Sequence, residues 1–312
     1  MDITMNFTLG LTQGISWPWP IAVYLFLAGI SGGAVAVAIM LNLYKKQTAQ
    51  NTPILKAASL IGAVTIILGM VCLVADLTNP LWFWRILVYY NLTSVMSLGV
   101  IALIVYIPLV CILTLVAVRD SFKIGFLDGL IGWFDNHRCG LQWITLVFAL
   151  TICAYTGFLI SALIRFPLIN QAVLPALFVA SGLSAGTAAA KMVAAGMFGE
   201  DQHSGDVYKR QDQKVLHGAE WPIMAAEALC IFMIAVALFT GNAAAQHAAQ
   251  AFCTGTWATL FWVGVVGIGF VIPVVLCKAK GSGTFYLTGL CSVVGMMCLR
   301  LFILYAGQTY AI

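Results

Sequence analysis

Of the 312 residues, 62% are hydrophobic and only 8% are charged, and the mean hydropathy is +1.00. A soluble domain carries about a quarter charged residues, so a water-soluble fold is excluded, and at ~20 residues per crossing the length allows about eight or nine spans and no sizeable soluble domain. The formal net charge of +4 reads as membrane topology rather than as a nucleic-acid surface.

Eight apolar stretches follow one another, at 18–43, 54–77, 92–118, 141–163, 172–197, 219–241, 256–277 and 284–306. Each is too long and continuous for a barrel strand, so an all-α integral membrane protein with eight transmembrane helices is expected. The first has only Asp2 before it in place of a basic segment, and it exceeds the apolar core of a signal peptide. It reads as an uncleaved span. It carries Tyr24 and the motif Gly29-Ile30-Ser31-Gly32-Gly33, which returns in the fifth span as Gly182-Leu183-Ser184-Ala185-Gly186. An offset of four spans keeps both copies running in one direction, as in a parallel repeat. Two four-helix bundles are therefore expected, residues 1–165 and 166–312, although small residues that merely allow close helix contact leave the same trace.

The loops set the orientation. One side carries Lys45, Lys46, Arg119, Lys123, Arg138, Lys209, Arg210, Lys214, Lys278 and Lys280, and the other only Arg85 and Arg165. By the positive-inside bias the first side faces the cytoplasm, and both termini face the periplasm of a bacterial inner membrane. Residues 206–211, Asp-Val-Tyr-Lys-Arg-Gln, spell a translated transposon end used in preparing sequencing libraries, and they are given no role.

An ionisable residue within a span costs roughly 2.5–3.5 kcal/mol on insertion and marks a functional candidate. In chain order, the outward end gathers Tyr24, Asp76 at the end of the second span, and the aromatic shelf Trp82-Phe83-Trp84-Arg85 with Tyr89-Tyr90-Asn91. Tyr155 and Thr156 of the fourth span, Arg165 in the loop beyond it, and Arg300 of the eighth span complete the group. A neutral redox lipid with two rings needs an apolar slot, hydroxyls for its carbonyls and a carboxylate to take protons, and Tyr24, Tyr155, Thr156 and Asp76 supply these parts. An aromatic belt and a plain Asp76–arginine pair would be the structural counterpart. An inward group holds Lys191, Glu220 and Glu227; the seven-residue spacing puts both glutamates on one helix face. A Lys191–Glu227 ion pair, with electroneutral turnover, is expected over a proton path.

Nine cysteines form no Cys-x-x-Cys pair, and the four histidines, His137, His203, His217 and His247, lie in loops or at a span edge. No haem, metal or iron–sulfur cluster is therefore expected in this protein.

The residues also carry a resemblance. Trp19-Pro20 leads into Tyr24-Leu25-Phe26-Leu27 and the Gly29–Gly33 motif, followed by Phe83-Trp84-Arg85, Thr93-Ser94-Val95-Met96-Ser97 and Ala154-Tyr155-Thr156-Gly157-Phe158-Leu159. Leu174-Pro175, Ser181-Gly182, Glu220-x-Pro222 with Glu227, and Arg300-x-Phe302-Ile303-Leu304-Tyr305-Ala306-Gly307-Gln308 continue the series in order. With these stretches the protein resembles the NrfD/polysulfide-reductase family of membrane subunits over nearly its whole length, nearest to those of formate-dependent nitrite reduction. The resemblance implies a haem-free anchor that oxidises menaquinol or another quinol. Its electrons would pass to a periplasmic ferredoxin-like iron–sulfur subunit, and through it to a terminal reductase. Tyr155 matches the family's quinone-holding tyrosine of the fourth span, and Tyr24 stands where relatives have a histidine. Arg300 joins the expected quinol contacts, and Arg85 and Arg165 are expected to dock the partner. A secondary transporter or proton-conducting protein is the alternative, because repeated halves and glycine-interrupted helices are transporter features. A purely structural anchor is a third reading.

Overall fold

The computed structural model describes residues 17–48, 50–77, 80–88, 91, 93–119, 128–198, 207–276 and 282–310. Among the described residues are eight helices long and apolar enough to cross a membrane: α1 (Trp19–Tyr44), α2 (Pro53–Ala75), α3 (Val95–Val118), α4 (Arg138–Ser161), α5 (Leu174–Met197), α6 (Val215–Phe239), α7 (Gly255–Leu276) and α8 (Thr284–Thr309). Among the described residues there is no strand. The boundaries fall within a few residues of those read from hydropathy, because in hydrocarbon every backbone polar group must be satisfied inside the segment. The transposon-like stretch begins outside the described residues and continues as helical backbone leading into α6.

Local signals explain the ends. Thr52 caps α2 by accepting the Leu55 N–H at 3.3 Å, and Pro53 occupies the first turn, where no donor is needed. Within the spans, hydroxyls bond back to their own helix, as Thr114 does to Val110 O, Thr145 to Leu141 O and Thr187 to Leu183 O. A threonine bonded in this way brings no unmet polar group into the membrane.

α1 and α5 lie at the centre. α1 packs against α2, α4, α5 and α8, and α5 against α1, α2, α4, α6 and α8, while α3 leans on α2 and α4. α6 and α7 are the least buried spans and lie on the rim. Both ends of the described polypeptide meet on one face: the Trp17 N–H donates to Gln308 Oε1 at 2.9 Å, and Gln308 Nε2 donates to Trp17 O at 3.2 Å. This is called the near face. The far face carries Lys45, Lys46, Arg119 and Arg138, and there Asp135 pairs with both arginines.

The repeated glycine motifs cross one another at the α1–α5 contact. A methyl group on Gly33 would overlap the Gly182 carbonyl, and one on Gly186 would overlap the backbone of Gly33 and Ala34. Apolar side chains gain nothing from leaving lipid for one another, so central spans associate by such close backbone packing. Gly33→Val is therefore expected to destabilise the fold by about 1–3 kcal/mol or more, the cost of overpacking. Thermal unfolding in detergent, compared with Gly196→Ala on the open end of α5, checks it.

Candidate functional site

On the near face the structure brings Tyr24 and Tyr155 together. Tyr24 is 1% exposed in α1 and Tyr155 is 9% exposed in α4, and the two phenols are close enough to interact electrostatically. The Tyr155 hydroxyl donates to Met96 O, in the first turn of α3, at 3.4 Å. That length marks a weak bond that a better acceptor would displace. Thr156 is fully buried and spends its hydroxyl on Cys153 O at 2.8 Å, leaving the oxygen lone pairs rather than the proton for a ligand.

α2 supplies the neighbouring wall. Gly69 abuts Tyr24, and Asp76, the C-cap of the same helix, lies seven residues nearer the surface, about 10 Å along the axis. Asp76 has no ion-pair partner among the described residues, and burial alone pushes its carboxyl up to about 6. The alternative of a plain Asp76–arginine pair is thus not formed among these residues. Arg85 instead stacks over Trp82, 4.1 Å from the ring centroid, with Trp84 beyond at 5.9 Å. Arg165 is exposed in the α4–α5 connection on the same face. Tyr89 and Tyr90 of the aromatic shelf lie outside the described residues.

Arg300 is not part of the tyrosine pair. Its guanidinium is 1% exposed, with Nη2 donating to Ser181 Oγ at 2.9 Å and to Phe178 O at 3.3 Å, and the group lies 3.5 Å over the Phe178 ring. It sits beside Gly29, five residues deeper along α1 than Tyr24. Its electrostatic partner is Glu227 of α6. Nε and Nη1 have no hydrogen-bond partner among the described residues, so this junction holds a buried cation with unused donors.

The expected Lys191–Glu227 pair is corrected. Lys191 Nζ donates to Glu220 Oε1 at 2.8 Å, and His217 Nδ1 lies 3.0 Å from Glu220 Oε2. Both glutamates share a face as the spacing predicts, but seven residues separate them by about 10 Å, and only Glu220 is level with Lys191. This triad lines a cavity of about 270 Å³ on the far side of α5, α6, α7 and α8, with Ser184 and Ser292 also on its wall, 3.4 Å apart.

The remaining cofactor candidates do not cluster. Among the described residues no group of His, Cys, Asp and Glu could hold a metal ion. His137 bonds to Trp133 O and His247 packs on the Tyr310 ring; His203 and Cys277 lie outside the described residues. Sequence reasoning quoted Ser181 and Met96 only within motifs, without a role, and did not single out Gly99, which has no charge or spacing to draw notice.

Residues 8–311 match the family model described as "Polysulphide reductase, NrfD". The C polypeptide of polysulfide reductase from Wolinella succinogenes is 40% identical over 308 residues, covering 95% of this protein and 95% of the relative. Protein NrfD of Escherichia coli is 34% identical over 311 residues, covering 95% of this protein and 96% of the relative. The C polypeptide of selenate reductase from Mesobacillus selenatarsenatis is 23% identical over 321 residues, covering 93% of this protein and 73% of the relative.

Proposed function

The chain belongs to the NrfD family of polysulphide-reductase membrane subunits, and from that premise we propose that it is the quinol-oxidising subunit of a respiratory reductase. The observation that carries the reading is the meeting of Tyr24 and Tyr155 in the near half of the span bundle, below Asp76. Tyr155 and Tyr24 hold the head group by hydrogen bonds, Thr156 shapes the same wall, and Asp76 takes a proton as quinol becomes quinone, releasing two protons and two electrons. The electrons pass to a periplasmic iron–sulfur subunit seated near Arg85 and Arg165, and from it to the terminal reductase. The relatives' names carry different acceptors, polysulfide and selenate, on one kind of membrane protein; acceptor chemistry therefore belongs to the partner.

Tyr155→Phe tests this reading. It keeps the ring and removes one neutral hydrogen bond, worth about 0.5–1.5 kcal/mol, so quinol binding should weaken about 2- to 13-fold while the complex assembles normally. Unchanged quinol kinetics in both Tyr155→Phe and Tyr24→Phe would remove the pair from the site.

The near face is periplasmic in this proposal, with residues 1–165 and 166–312 as two four-span units in the inner membrane. The Trp17–Gln308 clasp supports the common side of the termini, and the basic residues of the far face support its direction. A reporter active only in the cytoplasm, fused after Ile312, is expected to be silent; a strong signal would reverse the orientation.

A second reading concerns the far half. Because Glu220 already neutralises Lys191, Glu227 is not needed as its partner, and the case for an inert pair weakens. The cavity, the Ser184–Ser292 contact, and the Ser181–Arg300 bond beside Glu227 mark out polar groups from the far face to the centre. We read these groups as a proton route, so quinol oxidation would be coupled to charge movement.

A further inference from the structure

We propose that Gly99 is the positioning residue of the quinol site, fixing where the Tyr155 hydroxyl is presented; this rests on the reading of Tyr155 as a head-group contact. Gly99 is buried in the second turn of α3, one turn below Met96. A methyl group there would fall on the Tyr155 ring, overlapping its outer carbons and the hydroxyl oxygen. The phenol thus lies in the space that any other residue at position 99 would fill, and it spans the turn from Gly99 to the Met96 carbonyl, where its hydroxyl makes a 3.4 Å bond.

Three features make this more than ordinary helix packing. The contact involves the hydroxyl end of Tyr155, so displacement moves the group that would meet a ligand. Met96 O, the acceptor, comes from the adjacent turn of α3, so α3 both admits the ring and aims its proton. The ring has little room to yield, because Tyr155 is almost fully buried. α2 offers the contrast. A methyl group on Gly69 would meet Tyr24 Cδ2 and Leu27 Cβ at 3.5 Å, an ordinary contact, so glycine is not required there to place Tyr24.

The test uses the assembled reductase with a short-chain quinol. Gly99→Ala is expected to raise KM about tenfold, the upper range for one neutral hydrogen bond, with a much smaller change in kcat. Gly196→Ala at the open far end of α5, the control, should leave both unchanged. In a Tyr155→Phe background the hydroxyl is already gone, so Gly99→Ala should change KM less than twofold further. A normal KM in Gly99→Ala while Tyr155→Phe is impaired would overturn the inference and leave the quinol reading intact. The same tenfold cost in both backgrounds would also overturn it. If Tyr155→Phe has no effect of its own, the functional reading fails first. Should Gly99→Ala fail to assemble, Gly99→Ala/Tyr155→Ala removes the ring that is struck: recovered assembly supports the contact, and continued failure refutes it.

Discussion

Replacing Asp76 with asparagine is expected to slow quinol oxidation by about 10²–10⁴-fold, the range for loss of a positioned general base, with assembly preserved. The side chain caps α2, has no ion-pair partner among the described residues, and is held only half in water, so burial pushes its carboxyl up to about 6. The sign follows directly. Below pH 6 the group is protonated and cannot accept quinol's proton, and above pH 6 it is ionised and can. The wild-type rate should therefore rise as pH increases through about 6 and level off toward 8. Asp76→Asn should lose that limb as well as the rate. Steady-state oxidation by the purified complex between pH 5 and 8 measures both. A normal rate and an unaltered pH profile in Asp76→Asn would remove this residue from the proton step.

Arg300→Ala is expected to be strongly destabilising, by about 1.5–3 kcal/mol, the worth of a hydrogen bond made by a charged group, because its guanidinium is fully buried. It also takes the donors from Ser181 Oγ and Phe178 O and the cation from the Phe178 ring. Unfolding in detergent across the cycle of Arg300→Ala, Glu227→Gln and the double variant isolates the electrostatic coupling between the two buried side chains, which is expected to be favourable. Glu227→Gln alone then separates structure from conduction. With wild-type complex in sealed vesicles, a potential-sensitive dye should report charge movement during quinol oxidation. That signal should vanish in Glu227→Gln while electron transfer continues. A wild-type complex that builds no potential would return the pair to a structural role.

The intramembrane ion pairs show where a sequence stops informing. Lys191, Glu220 and Glu227 could be found from sequence because charge is rare in an apolar run, and the common face of the two glutamates followed from helical spacing. Which glutamate meets Lys191 did not follow. It depends on the vertical offset of α6 against α5, and packing sets that offset so that Glu220 is level with the lysine. Arg300 was placed among the quinol contacts from its depth and its motif. In the structure its guanidinium meets α5, donating to Ser181 Oγ and Phe178 O and lying over the Phe178 ring.

The glycine motifs make the same point in another way. Their recurrence four spans apart could be read directly, but not that Gly33 and Gly182 touch each other. Nothing in the residues around Gly99 marks it, since its role consists of the side chain of Tyr155, 56 residues away.

By itself, then, the sequence determined the helical membrane class, the eight spans, the loop-charge asymmetry and the family. These rest on local quantities: the run length of apolar residues against the bilayer thickness, the charge in short loops, and ordered motifs. The tertiary structure decided the rotation and height of each span, and with them every pairing at the candidate site. In a soluble helix, a polar stripe and an apolar stripe announce which face turns inward. A span in lipid is apolar all round, so periodicity carries little of that information. The inward face is chosen instead by glycine-to-backbone contacts and a few buried polar partners, which only exist once the spans have packed.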